Sequence, residues 1–346
     1  MAQINKPNTH FNTKLWTGTG ASNSITGVNF KPDLVWVKRR NTAGGNMFTD
    51  IIRGVTKTII SNETSAEQTF AQGLTSFNAD GFTVGSEAGF NNNGDTFVGW
   101  NWLAGGTAVS NTQGSITSQV SANQTAGFSI VSYTGTGANA TVGHGLGSAP
   151  KMVIFKNRDN GTQEWDTYHI GLTNATYFIQ LNSTNVQSNT NGALRFNSTA
   201  PSTNYFSVGT STTTNESGSA MIAYCFAEKK GFSKFGSYTG NGSTDGTFVY
   251  TGFKPAWVMF KRTDDISEWI IFDNKRNTFN LTNLSLEPNT SDAEAAVLAR
   301  EIDIYSNGFK SRGTSAYINA SGGTYIYMTF AENPLVGTNN IPATAR

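Results

Sequence analysis

Phe253-Lys254-Pro255-Ala256-Trp257-Val258-Met259-Phe260-Lys261-Arg262 is an apolar run closed by two basic residues, and the chain writes it three times. The earlier copies are Phe30-Lys31-Pro32-Asp33-Leu34-Val35-Trp36-Val37-Lys38-Arg39 and Ala149-Pro150-Lys151-Met152-Val153-Ile154-Phe155-Lys156-Asn157-Arg158. In each copy an aromatic residue followed by a Thr-Gly-Xaa-Gly turn (Trp16, Tyr133, Tyr238) stands 16 or 17 residues before the proline, and a lysine stands six after it. Copies spaced by roughly a hundred residues are duplicated modules, because solenoid units run about 20 to 50 residues.

The correspondence continues to the end of each module. Gly94-Asp95-Thr96-Phe97-Val98-Gly99-Trp100-Asn101-Trp102 matches the blocks that begin at Gly218 and Gly322. Between the ends, Asp50, Asp166 and Asp273, then Asn62, Asn182 and Asn289, then Phe82, Phe206 and Phe309 keep the same order. These marks divide the chain into an arm (1–10), module one (11–106), a polar linker (107–127), module two (128–230), module three (231–333) and a second arm (334–346). The Ser/Thr/Gln/Asn-rich linker reads as a flexible tether or an extended strap. It leaves module one free to swing, whereas Lys229-Lys230-Gly231-Phe232 couples modules two and three closely.

Short runs rich in β-branched and aromatic residues, bounded by Gly, Asn and Asp, predict strands throughout. The run after each proline is apolar at every position, as for a strand covered on both faces. In the last strand, Val98, Trp100 and Trp102 correspond to Ile222, Tyr224, Phe226 and to Ile326, Met328, Phe330, so one face belongs to a core. The expected fold is all-β: three tandem antiparallel β-sandwich modules of jelly-roll type. Ser65–Gln72 and Ser291–Arg300, where Ala and Glu concentrate, are the helical candidates.

Composition restricts the function. Charged residues make up 14% of the 346, and the net charge is +1. No nucleic-acid or anionic-membrane footprint follows from that balance. The polar residues are mainly Asn, Thr, Ser and Gly, the palette of adhesins and virion proteins. A lone Cys225 reads as a packed thiol. The opening residues carry no secretory signal, and no run is long enough to cross a bilayer. Phage components, which leave by lysis, fit that combination.

The phrases Phe235-Gly236-Ser237-Tyr238-Thr239-Gly240-Asn241-Gly242, Tyr250-Thr251-Gly252-Phe253-Lys254-Pro255 and Thr324-Tyr325-Ile326-Tyr327-Met328-Thr329-Phe330-Ala331-Glu332-Asn333-Pro334 resemble a repeat of structural proteins from marine tailed bacteriophages. The resemblance extends to Gln3-Ile4-Asn5-Lys6-Pro7 and to Ala79-Asp80-Gly81-Phe82-Thr83-Val84-Gly85. It implies concanavalin-like or laminin-G-like modules, attachment to the virion and glycan binding. Module two departs from it, with Gly147-Ser148-Ala149-Pro150 where its neighbours have Phe-Lys-Pro.

The three histidines, His10, His144 and His169, form no zinc pattern, and there is no phosphate loop, nucleophile elbow or calcium loop. No cofactor or metal is expected. His144, in Gly143-His144-Gly145, reads as a solvent-facing loop residue. The recurrent polar group is an acid with a base three positions on: Asp50 with Arg53, Asp166 with His169, and Asp273 with Arg276, with Trp165 and Trp269 nearby. These eight residues suit a sugar site, where carboxylate and planar donor bond hydroxyls and indole covers the ring. They suit equally an ion pair that closes a loop. Asn62 to Glu67, Asn182 to Gln187 and Asn289 to Glu294 fit loop capping or a metal-facing loop, with Gln187 against three equivalent calcium sites.

A polysaccharide depolymerase is the enzymatic rival, and it needs paired carboxyl groups, one with a raised pKa. Aspartates beside cations point the other way. The expectation is a non-enzymatic virion structural protein on the phage exterior, as tail fibre, appendage or capsid decoration. Its partners would be other virion proteins and itself, as a trimer in a fibre, with the arms as anchors. The alternative is an adhesin for host surface polysaccharide.

Overall fold

The computed structural model describes residues 3–338 and 340–345. Positions 1, 2, 339 and 346 of the two terminal arms lie outside the described residues. The described chain is all-β, its paired strands all antiparallel, with four one-turn helices and one 3-10 turn.

Each module builds a large sheet in the same order. In module one the first strand, Phe11–Thr17, pairs with the last, Thr96–Trp102. The last strand also pairs with the post-proline strand Leu34–Arg39, followed outward by Asn46–Asp50 and Lys57–Ile60. Phe128–Thr134, Ala220–Phe226, Met152–Asn157 and Asp166–His169 repeat this order in module two. Ser233–Thr239, Thr324–Pro334, Phe253–Arg262 and Trp269–Asp273 repeat it in module three. Pro32 and Pro150 stand just before their strands. Pro255 lies inside its strand, at a register shift, which suits a residue without a backbone donor.

A smaller sheet covers one face of each large one: Asn23–Thr26, Gly81–Val84 and Leu74–Asn78 in module one, and Phe248–Tyr250, Gly308–Ser311 and Ile302–Tyr305 in module three. Module two keeps only the pair Ala140–Gly143 and Tyr205–Val208. Side chains alternate along a strand, so each large-sheet strand feeds two cores. Val35, Val37 and Phe97 pack against the small sheet with Phe82 and Val84. Leu34, Trp36, Val98, Trp100 and Trp102 point the other way.

That other face is not solvent. It meets the corresponding faces of modules two and three in one core, which contains Tyr224, Phe226, Trp257, Met328 and Phe330. The Trp102 ring lies 6.4 Å from Phe128, 6.3 Å from Phe226, 5.9 Å from Trp257 and 5.7 Å from Phe330, centroid to centroid. Burying a side chain of this size stabilises by about 1.5–3 kcal/mol, so the shared core joins the modules as strongly as a domain interior would. Module one therefore does not swing, which corrects the expectation from its linker. The linker itself forms the strands Val109–Asn111 and Ser118–Asn123, which extend module two's large sheet past its first strand. It is a strap.

Ser65–Gln72 and Ser291–Arg300 are not helical. Each carries its backbone across a module boundary, where Glu67 N–H donates to the Arg158 carbonyl at 2.7 Å and Glu294 N–H to the Arg40 carbonyl at 2.7 Å. Those bonds and a two-residue strand in each (Gln68–Thr69, Ala295–Ala296) outweigh the weak helical preference of a few Ala and Glu. The terminal arms are not loose either. Ile4 is buried and its N–H donates to the Lys230 carbonyl at 3.1 Å, while the Gln3 amide donates to the Val336 carbonyl at 2.7 Å.

Candidate functional site: the seams between modules

The recurrent polar residues lie at the boundaries between modules. Asp50 ends its strand, so the chain turns and brings Arg53 back onto it, with Nε to Oδ2 at 2.5 Å. The second carboxylate oxygen accepts the backbone N–H groups of Ile52 and Arg53, both at 3.0 Å. Neither side chain of the pair is exposed. Asp273 and Arg276 repeat the arrangement at 2.6 Å.

In both, the last strand of another module completes the joint. The Tyr224 hydroxyl of module two donates to Asp50 Oδ2 at 2.8 Å, and the Trp100 indole of module one donates to Asp273 Oδ2 at 3.1 Å. Burial raises the Asp273 carboxyl, but the Arg276 guanidinium, its hydrogen bonds and the Trp100 donor outweigh that and hold it below the ordinary carboxylate value.

Module two differs, for a geometric reason. Its strand continues to His169, and residues three apart on a strand point to opposite faces. Asp166 faces inward, where Arg195 Nε binds it at 2.6 Å and the Thr213 hydroxyl donates to it. His169 takes the seam: opposite Met152 it occupies the register position that Asp50 holds opposite Leu34 and Asp273 opposite Trp257. The alignment of Asp166 with the other two aspartates is thus three residues out, and Asp166 and His169 do not pair. His169 Nδ1 accepts the Gly171 N–H at 3.0 Å, so Nε2 carries the proton and donates to the Tyr327 carbonyl of module three at 3.1 Å. Burial pushes this histidine down to about 4.

The two tryptophans work in the same seams. Trp165 Nε1 donates to the Glu63 carbonyl of module one at 3.0 Å, and Trp269 Nε1 to the Gln180 carbonyl of module two at 2.9 Å. Asn46 holds the third such position and donates to the Thr290 carbonyl of module three at 2.8 Å. The side-chain oxygens of Asn62, Asn182 and Asn289 accept the backbone N–H of Asn46, Trp165 and Trp269 at 2.8, 3.0 and 3.0 Å, which gives this asparagine triplet its role as a loop cap.

The lysine six residues after each proline is buried and crosses a seam. Lys38 donates to the Thr290 carbonyl at 2.9 Å, Lys156 to that of Thr64 at 2.6 Å and Lys261 to that of Thr184 at 3.1 Å. Burial lowers all three to about 8, against the partial opposition of acids such as Glu287, Glu164 and Glu268. Every set runs the same way round, module one onto three, three onto two and two onto one. A head-to-tail contact that closes after three steps is a ring.

Glu67 bridges Arg53 of its own module and Arg158 of module two, at 3.5 and 2.9 Å. Glu294 likewise bridges Arg276 and Arg40, at 3.1 and 2.8 Å. Gln187 carries no charge, and the residue of module three in the position of Arg158 and Arg40 is Thr263, whose carbonyl accepts the Gln187 N–H at 3.0 Å; Arg262, one position earlier, pairs with Asp264 and Asp265 at 3.0 and 3.1 Å.

All eight candidate sugar-site residues are therefore buried. Their polar atoms are taken up by one another, by side chains such as Tyr224, Trp100, Arg195, Thr213, Glu67 and Glu294, and by backbone groups, which leaves little surface for a ligand. His144, expected in solvent, is also buried, with Nδ1 accepting the Leu146 N–H and Nε2 donating to the Ser202 carbonyl.

One repeated residue escaped the sequence reading. Asn91, Asn215 and Asn319 each close the turn after Trp16, Tyr133 and Tyr238: the side-chain oxygen accepts the N–H of Thr19, Thr136 or Asn241 at 3.0, 2.8 or 2.9 Å. The amide donates back to Gly85, Gly209 or Gly313. Each stands three residues before the aligned Gly94, Gly218 or Gly322, a spacing that could have revealed it.

A family model described as a domain of unknown function, DUF7483, matches residues 6–334. The chain belongs to that family. The match spans all three modules and both joints between them. No curated protein matches the chain.

Proposed function

We propose that this chain is a non-enzymatic structural protein of a bacteriophage particle, carried on the exterior as a tail fibre component, appendage or capsid decoration. One observation carries the reading: the recurrent charged and aromatic residues are buried in the seams of a closed three-module ring. That arrangement makes a rigid body, and each seam aspartate has a cation beside it, the reverse of a carboxyl kept protonated for glycoside hydrolysis. The likeness of its repeated phrases to those of marine phage structural proteins supports the same reading.

We read each module as a jelly-roll sandwich of concanavalin or laminin-G type. In support, the first strand pairs with the last, and the second (Asn23–Thr26) with the second-last (Gly81–Val84), as in a chain folded back on itself. Contacts with other virion proteins would use amides, hydroxyls and backbone groups, and would resist salt. Purified particles of a phage that encodes the chain test the proposal: it should be present in stoichiometric amount and fit a particle density map. Its absence from washed particles, or release of sugars from host polysaccharide by the purified chain, would contradict it.

A further inference from the structure

Three equivalent grooves run along the seams, each between the first strand of one module and the end of another module's last strand. The groove between modules one and two is filled. Ser118–Asn123 lies in it, pairs antiparallel with Phe128–Thr134 from Gln119↔Ser132 to Asn123↔Phe128, and touches module one through Gly105 N–H to Ser121 Oγ at 2.9 Å. Gly145 is shaped to this strand, since a Cβ there would come within 3.1 Å of both Val120 and Ala122. The groove between modules two and three encloses about 620 Å³ and is crossed by the Lys234–Glu228 ion pair at 2.9 Å.

The groove between modules three and one is open along its whole floor. It has a volume of about 530 Å³, its floor is the run Phe11–Leu15, and Glu332 and Asn333 form the far wall. Gly27, which corresponds to Gly145, lines it too, and the Lys14 ammonium lies over it, 2.9 Å from where a Cβ would stand. Phe11–Thr17 is the edge of its sheet, and among the described residues no strand pairs with its outer side. The Thr13 N–H, in the position of Ile130 that faces Ser121 in module two, bonds among the described residues to the side-chain oxygen of Asn12 at 3.0 Å rather than to a strand.

We infer that this groove receives an extended polypeptide segment of a partner protein, added antiparallel to Phe11–Thr17 as the linker strand is added to module two. Strand addition takes its affinity from main-chain bonds and its specificity from alternate side chains. The expected segment is uncharged, with small side chains at alternate positions, as in Ser118–Asn123, that leave room for the Lys14 side chain over Gly27. The inference rests on the equivalence of the grooves and does not depend on the virion reading.

A synthetic peptide with the sequence of residues 113–124, added to the full chain, tests it. At saturation, amide exchange at Phe11–Thr17 should slow by roughly tenfold or more and stay unchanged at Phe128–Thr134. Thr13→Pro, a change an edge strand tolerates, and Lys275→Trp, which narrows the groove from an exposed position, should each weaken binding about tenfold without loss of fold. No protection at about 1 mM peptide, protection elsewhere, undiminished binding by both variants, or displacement of the peptide by a neutral oligosaccharide such as maltohexaose would overturn it.

Discussion

Tyr224→Phe removes one oxygen from a seam and leaves the ring that packs on Phe48 at 5.5 Å. That oxygen donates to Asp50 Oδ2 at 2.8 Å and accepts from Arg53 Nη2 at 3.3 Å, between side chains with no exposure. A hydrogen bond to a charged group contributes about 1.5–3 kcal/mol, and Asp50 keeps its bond from Arg53, so the expected loss is about 2 kcal/mol. Tyr133→Phe is the internal comparison, since its hydroxyl meets the neutral Thr214 carbonyl within module two; about 1 kcal/mol is expected there. Urea unfolding followed by tryptophan fluorescence and far-UV dichroism gives both values. A cycle of Tyr224→Phe with Asp50→Asn should show coupling of about 0.5–3 kcal/mol. A loss below about 0.5 kcal/mol, or no coupling, would refute the claim that module two's last strand holds module one through this carboxylate.

Asn215→Ala strips the turn at Thr136 of its cap and leaves the Thr136 N–H and the Gly209 carbonyl without a partner, so a loss of about 2–4 kcal/mol in unfolding free energy is expected. Gly218 has φ of +80° with open space around its Cβ direction, so Gly218→Ala should cost only the backbone term, about 1–2 kcal/mol, in the same assay. His144 and His169 are each held at about 4 against an ordinary 6.5. Between those values the unfolded chain binds more protons, so their contribution is complete above pH 6.5 and is lost as pH falls toward 4. Histidine NMR titration and melting temperatures across that window check it, with His169→Gln expected to flatten the slope.

Much of the fold was legible because β-structure writes its faces into alternate residues. Val98, Trp100 and Trp102 declared a buried face, and the all-apolar run at Leu34–Val37 declared burial on both sides. Their partners were not legible, because a tryptophan facing another module reads the same as one facing its own second sheet. The seam between Asp273 and Arg276 could be read as a pair, since a turn makes i and i+3 meet. Asp166 and His169 could not be judged, because the extra length of their strand separates them and only register shows it. The swing of module one was inferred from linker composition, which reports the linker's own burial and says nothing of Trp102 and Phe330 behind it.

The three modules form one closed body with a shared core. Differential scanning calorimetry of the full chain tests it most directly, since a cooperative unit gives a calorimetric enthalpy equal to the van't Hoff enthalpy. A single transition with a ratio near one is expected. Separate transitions for the modules, or a ratio near three, would contradict it.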